Sequence, residues 1–288
     1  MNVLLLKPNG YCSGVQRAFS LALKLRKRQP NAEIYALGML VHNEDSMLEF
    51  QNHHIHIIDE RKENLEKALK AIPEASYVIF SAHGHPLCWE KWAAEKKLKV
   101  LDCTCPFVEA NRVAGSSLGG PFFYFGVKGH LEAEAFLANN PNAIFIDVVH
   151  PELNRADIPT SDVYSAIGQT TISKEEIDSA MAFLSAKGIS VQLMKSQCQS
   201  TYLRQKAILD LPKTITTLVV LGSPRSNNSV KLFEIGVNKN LRCFLVRNLA
   251  ELKKISFGKN ERIALSSGAS TSPSILKDCF DYLSSMER

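Results

Sequence analysis

Short apolar runs typical of β-strands alternate with amphipathic helical patterns along the whole chain. Apolar residues recur at helical spacing at Val15, Ala18, Phe19 and Ala22, and Ser173 opens a capping box, SKEE. The strand-like runs read NVLLLK, AEIYAL, SYVIFSA, LKVLD, FFYFGV, AIFIDV, VYSAIG, ISVQLM, TLVVLG, RCFLVR and RIALSS. Strands that alternate with helices predict α/β units with mostly parallel sheets.

Length and composition indicate an ordinary globular protein. The chain has 288 residues, 45% hydrophobic and 22% charged, which is enough to bury a substantial core. The net charge of +5 permits an anionic substrate, but no stripe of Lys and Arg interleaved with aromatic residues is visible. We therefore expect a small-molecule partner and no nucleic acid.

The sequence also predicts no contact with a membrane. No apolar stretch has the length of a membrane span, and the opening run ends at Pro8-Asn9-Gly10, as a strand and a turn would. We expect a cytoplasmic protein without a signal peptide, in which the seven cysteines are thiols or ligands and not disulfides.

Three of the cysteines share one sequence context. Cys12, Cys105 and Cys198 are separated by 93 residues in both intervals, and each lies between a strand-like and a helix-like run. Ligands collect at the carboxyl ends of strands in open α/β sheets. The spacing predicts three similar units whose thiols converge, although a single cysteine of this kind is more often a small buried apolar residue.

Three converging thiols suit a metal site or an iron–sulfur site. The helix N-termini behind them would place partial positive charge near the sulfurs. Three protein ligands leave one iron of a cubane without a cysteine, and a substrate oxygen can bind there.

The stretch LKVLDCTCPFV puts two thiols, Cys103 and Cys105, one residue apart. The residues alone allow a redox pair, two metal ligands, or one ligand beside a bystander.

Nine short motifs, spread over nearly the whole chain, carry a family resemblance. They read NGYCSGVQRA, VHN, SAHG, DCTCP, GHLEAE, GQTT, CQSTYLRQ, GSPRSNNS and SGAS. In this order they resemble the motifs of the LytB-type 4-hydroxy-3-methylbut-2-enyl diphosphate reductases, the last enzymes of the non-mevalonate isoprenoid pathway.

The resemblance implies three pseudo-symmetric α/β domains around a central 4Fe–4S cluster. The boundaries that we expect are 13–105, 106–198 and 199–288, with residues 1–12 completing the third domain. The implied cluster ligands are Cys12, Cys105 and Cys198, which makes Cys103 the bystander.

The resemblance also implies a reductive dehydroxylation. Two electrons and two protons remove an allylic hydroxyl, giving isopentenyl and dimethylallyl diphosphates. Glu132 matches the family's proton donor, with Glu134 outside the catalytic position, and Thr170 would orient the hydroxyl. The implied diphosphate-binding residues are His42, His83, His130, Ser226, Asn228 and Ser270. Ferredoxin or flavodoxin would supply the electrons.

Two motifs depart from the family pattern. The usual Gly-His-Pro-Glu-x-x-Gly reads GHLEAEA here, and the usual Ser-Ser-Asn reads Ser226-Asn227-Asn228. These changes bear on the substrate contacts and leave the three thiols and the acid in place.

Two other classes of function compete with the reductase. A divergent paralogue would use its cluster to sense redox state, and a structural protein would hold zinc. Structural zinc normally takes four ligands at short spacings, which intervals of 93 residues do not provide. The sequence leaves the electron donor, the product ratio and the oligomeric state open.

Overall fold

The computed structural model describes residues 2–40, 43–153, 158, 163–195 and 198–286. Twelve strands lie within these residues. They are β1 Asn2–Leu5, β2 Ile34–Leu37, β3 His56–Ile58, β4 Tyr77–Phe80, β5 Lys99–Asp102, β6 Phe122–Gly126, β7 Ala143–Asp147, β8 Tyr164–Gly168, β9 Val191–Lys195, β10 Thr217–Leu221, β11 Arg242–Val246 and β12 Arg262–Ser267.

Eleven helices lie in the same described ranges. They are α1 Ser13–Arg28, α2 Glu44–Asn52, α3 Leu65–Ala71, α4 Cys88–Glu95, α5 Pro106–Ser116, α6 Leu131–Asn139, α7 Lys174–Ala186, α8 Gln199–Leu209, α9 Asn227–Asn238, α10 Leu249–Leu252 and α11 Pro273–Ser285. Helix α7 begins at the predicted capping box, in which Ser173 and Glu176 exchange side-chain and backbone hydrogen bonds.

The strands form three four-stranded sheets, and the recorded strand pairs are parallel. Their orders are β3-β2-β4-β5, β7-β6-β8-β9 and β11-β10-β12-β1. The first two orders are the same when each sheet's strands are numbered along the chain, and the third follows them if β1 counts as the fourth strand. The prediction of an α/β fold with three pseudo-symmetric parallel sheets is confirmed.

The burial of the central strands explains why apolar runs in the sequence predicted strands. All five residues of β6 and of β10 are buried, because helices cover both faces of a parallel sheet. Ten of the eleven predicted strand runs contain a whole strand, and the eleventh, ISVQLM, contains β9 except for its last residue. The short edge strand β3 was absent from the predicted set because its sequence, HII, follows a polar stretch.

Each of the three spaced cysteines follows the edge strand of one sheet. Cys12 comes after β1, Cys105 after β5 and Cys198 after β9. The chain's first strand pairs with its last, because β1 adds to β12 at the edge of the third sheet.

Among the described residues, no helix combines the length and the apolar character needed to cross a bilayer.

Candidate active site and cluster site

The three spaced cysteines line one cavity of about 110 Å³. Each of them is the N-cap of a helix: Cys12 of α1, Cys105 of α5 and Cys198 of α8. A helix N-terminus presents free N–H groups and partial positive charge. The structure therefore brings three thiols from distant parts of the chain to three positive helix ends.

Gly14 allows two of these sulfurs to lie close together. A Cβ atom on Gly14 would sit 2.7 Å from the Cys105 Sγ and 3.9 Å from the Cys12 Sγ. The first of these distances is too short for a side chain at this position, whereas the second is an ordinary van der Waals contact. The glycine in the Cys-Ser-Gly sequence thus keeps the space between the thiols free.

Backbone donors and a buried cation make the surroundings of the thiols electropositive. The Val15 N–H donates to the Cys12 Sγ at 3.5 Å. Burial raises the pKa of Cys105, while the N–H groups of Phe107 and Val108 act in the opposite direction. The guanidinium of Arg204, 1% exposed, lies within electrostatic range of Cys12 and Cys198.

Arg204 is a site residue whose role sequence reasoning missed. Its Nη2 donates to the Gly10 carbonyl at 2.6 Å and its Nε to the Ser267 carbonyl at 3.2 Å. These acceptors are neutral, and no carboxylate among the described residues compensates the charge, so Arg204 can stabilise an anionic group between the thiols. The only sequence sign was a basic residue soon after each spaced cysteine.

The donor set fits an iron–sulfur cluster. Cysteine thiolates are the usual ligands of such clusters, and helix N–H groups and a buried cation favour their negative charge. In the described part of the chain, no three His, Cys, Asp or Glu side chains are arranged to hold a single metal ion. The three thiols instead line a shared cavity, and Cys12, Cys105 and Cys198 are the residues that could hold a cluster there.

Cys103 has a different environment from Cys105. Its side chain is fully buried in the core between α1 and the first sheet, and its thiol lies 3.9 Å from the Ala18 carbonyl oxygen. Burial raises the pKa of Cys103 to about 12, so the thiol stays protonated.

Glu132 and Thr170 form a buried pair between α6 and the turn after β8. The Thr170 N–H donates to the Glu132 Oε1 at 2.7 Å, and the Thr170 hydroxyl donates to Oε2 at 2.8 Å. The Thr170 carbonyl in turn accepts from the Cys198 N–H at 3.2 Å. One residue therefore connects the carboxyl group to the backbone of a spaced cysteine.

The environment of Glu132 suits a proton donor. Its side chain is 3% exposed, and burial raises its pKa to about 7, although both Thr170 hydrogen bonds oppose the rise. A carboxyl group with this pKa can hold and release a proton near neutral pH. Glu134, on the same helix, is exposed.

Two of the predicted histidines face the cysteine cavity from different units. His83 and His130 both line it, with their rings 5.7 Å apart and nearly perpendicular. His130 is the N-cap of α6 and accepts from the Glu132 N–H through Nδ1 at 3.1 Å. His42 lies outside the described residues.

The predicted polar residues of the third unit line the same cavity. Ser226 is the N-cap of α9, and Ser226, Asn228 and Ser270 are all less than 8% exposed. Both polar atoms of the Asn228 amide are buried without a hydrogen-bond partner. A buried amide without partners is costly, so this group is available to a ligand.

Two glycines let α9 approach the sheet closely. A Cβ atom on Gly222 or Gly268 would lie 2.2 Å or 2.1 Å from the Ser229 Oγ. These glycines belong to the motifs GSPRSNNS and SGAS. Because neither has a side chain, the N-terminus of α9 can lie against the cavity.

Thr171 and Asn227 were not predicted as site residues, yet both line the cavity. The Asn227 amide donates to the Thr171 hydroxyl at 3.1 Å, and Gln169 donates to the same hydroxyl at 2.7 Å. Asn227 is the position at which the chain departs from the family's Ser-Ser-Asn, and here it joins the third unit to the second.

Comparisons with known proteins concern the family and the fold of the chain as a whole. The model of the LytB protein family matches residues 3–284. Two proteins described as 4-hydroxy-3-methylbut-2-enyl diphosphate reductase are similar in sequence. The one from Malacoplasma penetrans is 30% identical and covers 94% of this chain and 93% of its own. The one from Geobacillus thermodenitrificans is 33% identical and covers 98% and 90%.

A solved structure shares the fold. The E-1-hydroxy-2-methyl-but-2-enyl-4-diphosphate reductase from Plasmodium falciparum superposes with a TM-score of 0.82 at 24% identity, covering 98% of this chain and 88% of that one. Because the family model spans nearly every residue and two relatives match over 93% and 90% of their own length, the chain belongs to the LytB family.

Proposed function

We propose that this chain is a 4-hydroxy-3-methylbut-2-enyl diphosphate reductase. In the reaction, two electrons and two protons remove the allylic hydroxyl as water and leave isopentenyl or dimethylallyl diphosphate. The observation that carries the proposal is the convergence of three N-cap thiols on one cavity, beside a buried carboxyl group whose pKa is raised to about 7.

The cofactor that we propose is a 4Fe–4S cluster held by Cys12, Cys105 and Cys198. When bound, such a cluster supplies electrons one at a time and an iron that acts as a Lewis acid. The uncompensated charge of Arg204 and the three helix N-termini support an anionic group at this place.

The proposed proton donor is Glu132. Thr170 holds the carboxyl group by two hydrogen bonds, which restricts its rotation. Because its pKa is raised to about 7, a large fraction of this carboxyl group is still protonated at neutral pH, where an exposed glutamate would have lost its proton. Thr170 would thus orient both the acid and the substrate hydroxyl.

The proposed diphosphate site consists of imidazole, hydroxyl and amide donors around the same cavity. His83, His130, Ser226, Asn228 and Ser270 line it, and His42 completes the set by sequence alone. The N-terminus of α9 at Ser226 adds backbone N–H groups and partial positive charge, which favour an anion.

We also propose the domain boundaries 13–105, 106–198 and 199–288, with residues 1–12 in the third domain. Their support is that the strands of each sheet then fall in one domain. We propose a cytoplasmic protein that takes its electrons from a one-electron donor such as ferredoxin or flavodoxin.

Anaerobic purification followed by a substrate assay tests this function. We expect a brown protein that oxidises two equivalents of a reduced one-electron dye for each product molecule formed. A brown protein that binds the substrate without turnover would instead indicate a sensor, and a colourless zinc protein would indicate a structural role.

A further inference from the structure

A second cavity, of about 60 Å³, is lined by Glu132, which is not among the described residues that line the cysteine cavity. It lies between the end of the first sheet and helices α5 and α6, and none of the three spaced cysteines lines it. Its polar lining includes His85, Glu90, Asp102, Glu109, Asn111 and Glu132. Glu132 therefore contacts this cavity, while the neighbouring His130 faces the cysteine cavity.

The side chains that line this second cavity differ in exposure, from half-exposed carboxylates to the buried Glu132. The side chains of Glu90, Asp102 and Glu109 are 53%, 49% and 46% exposed. His85 and Glu132, in contrast, are 5% and 3% exposed. The cavity thus connects carboxylates at the surface with the buried acid of the proposed reaction.

His85 stands in this cavity with one free ring nitrogen. Its Nε2 lies 3.1 Å from the Glu90 Oε1, and its ring stacks on Phe80 at 4.0 Å. Its Nδ1 is buried without a hydrogen-bond partner, and the nearest carboxylate oxygen recorded for it, Asp102 Oδ1, is 4.0 Å away. A buried nitrogen of this kind needs a partner, and the cavity has room for a water molecule.

The substrate cavity is a poor source of new protons during turnover. The proposed reaction consumes two protons, and a bound diphosphate would fill the cysteine cavity beside His83 and His130. Glu132 must regain each proton that it gives up. A separate path to solvent would supply these protons while the substrate stays bound.

We propose that the second cavity is this path, and that His85 relays protons from solvent to Glu132. This inference rests on the proposed function. After Glu132 gives its proton to the substrate, the His85 imidazolium passes a proton through cavity water to the Glu132 carboxylate. Neutral His85 then takes a proton from water beside Glu90 and Asp102. Only O–H and N–H bonds are made and broken, and each proton delivered is replaced by one from solvent.

The other groups around Glu132 are compatible with this transfer. Tyr124 on β6 is fully buried, and burial together with Glu132 raises its pKa well above the ordinary value, so it stays neutral. Arg112 on α5 is held by Glu109 through hydrogen bonds of 2.8 Å and 2.6 Å. His130 accepts a hydrogen bond from the backbone N–H of Glu132 and faces the cysteine cavity. The remaining ionisable groups that line the second cavity are the half-exposed carboxylates Glu90, Asp102 and Glu109, which attract protons.

Steady-state kinetics of His85→Ala, with and without added imidazole, test the proposal. We expect kcat to fall by about tenfold with KM unchanged, the fall to grow with pH, and the solvent deuterium isotope effect to rise, because proton supply becomes limiting. Imidazole should restore kcat, since it can enter a cavity open to solvent. His53→Ala, an exposed histidine in the first unit, is the matched control and should resemble wild type.

A second variant tests the cavity itself. Ala135 lines it, and Ala135→Leu should fill it and lower kcat without rescue by imidazole. Iron content and circular dichroism show whether each variant folds. If His85→Ala does not fold, the kinetics of Ala135→Leu test the proposal.

The possible outcomes separate the two proposals. A wild-type protein without turnover would contradict the proposed function. A wild-type enzyme that turns over, with both variants unchanged in kcat, pH profile and isotope effect, would overturn only the proton path. A slow His85→Ala that imidazole does not rescue, with an unchanged isotope effect, would overturn it as well, since the residue would then be structural.

Discussion

Two short segments of this protein, the turn before α5 and the start of α6, each carry a proposed site residue and a second residue of the same type two positions away. In one segment, Cys105 lines the cysteine cavity while Cys103 is buried in the core. In the other, Glu132 is buried against Thr170 while Glu134 is exposed. Burial marks the bystander of the first pair and the proposed catalytic residue of the second.

The two pairs differ in what surrounds the polar group. Cys103 is packed among apolar side chains, which suppress its ionisation. Glu132 is equally buried, but its carboxyl oxygens accept two hydrogen bonds from Thr170, and its side chain lines a cavity. Burial identifies a functional group only when the buried group also has polar partners or faces a cavity.

The largest expected effect concerns the cysteine pair. Replacing Cys12, Cys105 or Cys198 by Ser should each abolish the cluster, because a serine oxygen is a harder ligand with a different reach. Cys103→Ser should retain it, at some cost in stability from a buried hydroxyl. Iron content and visible absorption measure both outcomes. A cluster that survives in Cys105→Ser and disappears in Cys103→Ser would reverse the assignment.

The next largest effect concerns the glutamate pair. Glu132→Gln should lower kcat by about 10²–10⁴-fold while iron content and KM stay close to wild type, because the amide has no acidic proton to give. Glu134→Gln is the matched control and should keep its activity. Kinetics with a reduced dye compare the two variants, and an inactive Glu134→Gln beside an active Glu132→Gln would move the proton donor to Glu134.

The buried acid should also make stability depend on pH. The pKa of Glu132 rises from 4.5 to about 7 on folding, so the folded protein holds a proton that the unfolded chain releases. The associated stabilisation is complete below pH 4.5 and is lost as pH rises to 7, a change on the order of 3 kcal/mol.

Anaerobic urea unfolding at pH 5 and pH 8 measures how much this proton contributes to the free energy of unfolding. Wild type and Glu134→Gln should lose more stability across this interval than Glu132→Gln does. Equal losses in all three proteins would show that Glu132 is already ionised at pH 5.

The smallest effect concerns the polar groups of the third unit. Asn228→Ala should raise KM by about tenfold with little change in kcat, since a phosphate contact acts in the ground and transition states alike. Its amide has no hydrogen-bond partner in the protein, so the substitution should not lower stability. Ser226→Ala should raise KM and also destabilise the protein by about 0.5–2 kcal/mol, because it removes the N-cap of α9. An Asn228→Ala variant with an unchanged KM would exclude this residue from the substrate site.

The sequence by itself determined the fold class, and its short motifs supplied the site residues that we propose. Apolar runs and the SKEE capping box are local features of the sequence. The runs therefore predicted the strands and the parallel α/β class, and the capping box predicted the start of α7. The equal spacing of the three cysteines likewise followed from counting. Strand β3 was not predicted, because three residues beside a polar stretch form too short an apolar pattern.

Only the tertiary structure decided which groups share an environment. Arg204 lies 194 positions from the Gly10 carbonyl that it contacts, and Asn227 lies 56 positions from Thr171. His85 and Glu132 line one cavity although they belong to different units. A pKa depends on burial and on neighbours brought together by folding. The spacing of residues along the chain therefore could not predict that Glu132 holds a proton near pH 7 or that Cys103 never loses its own.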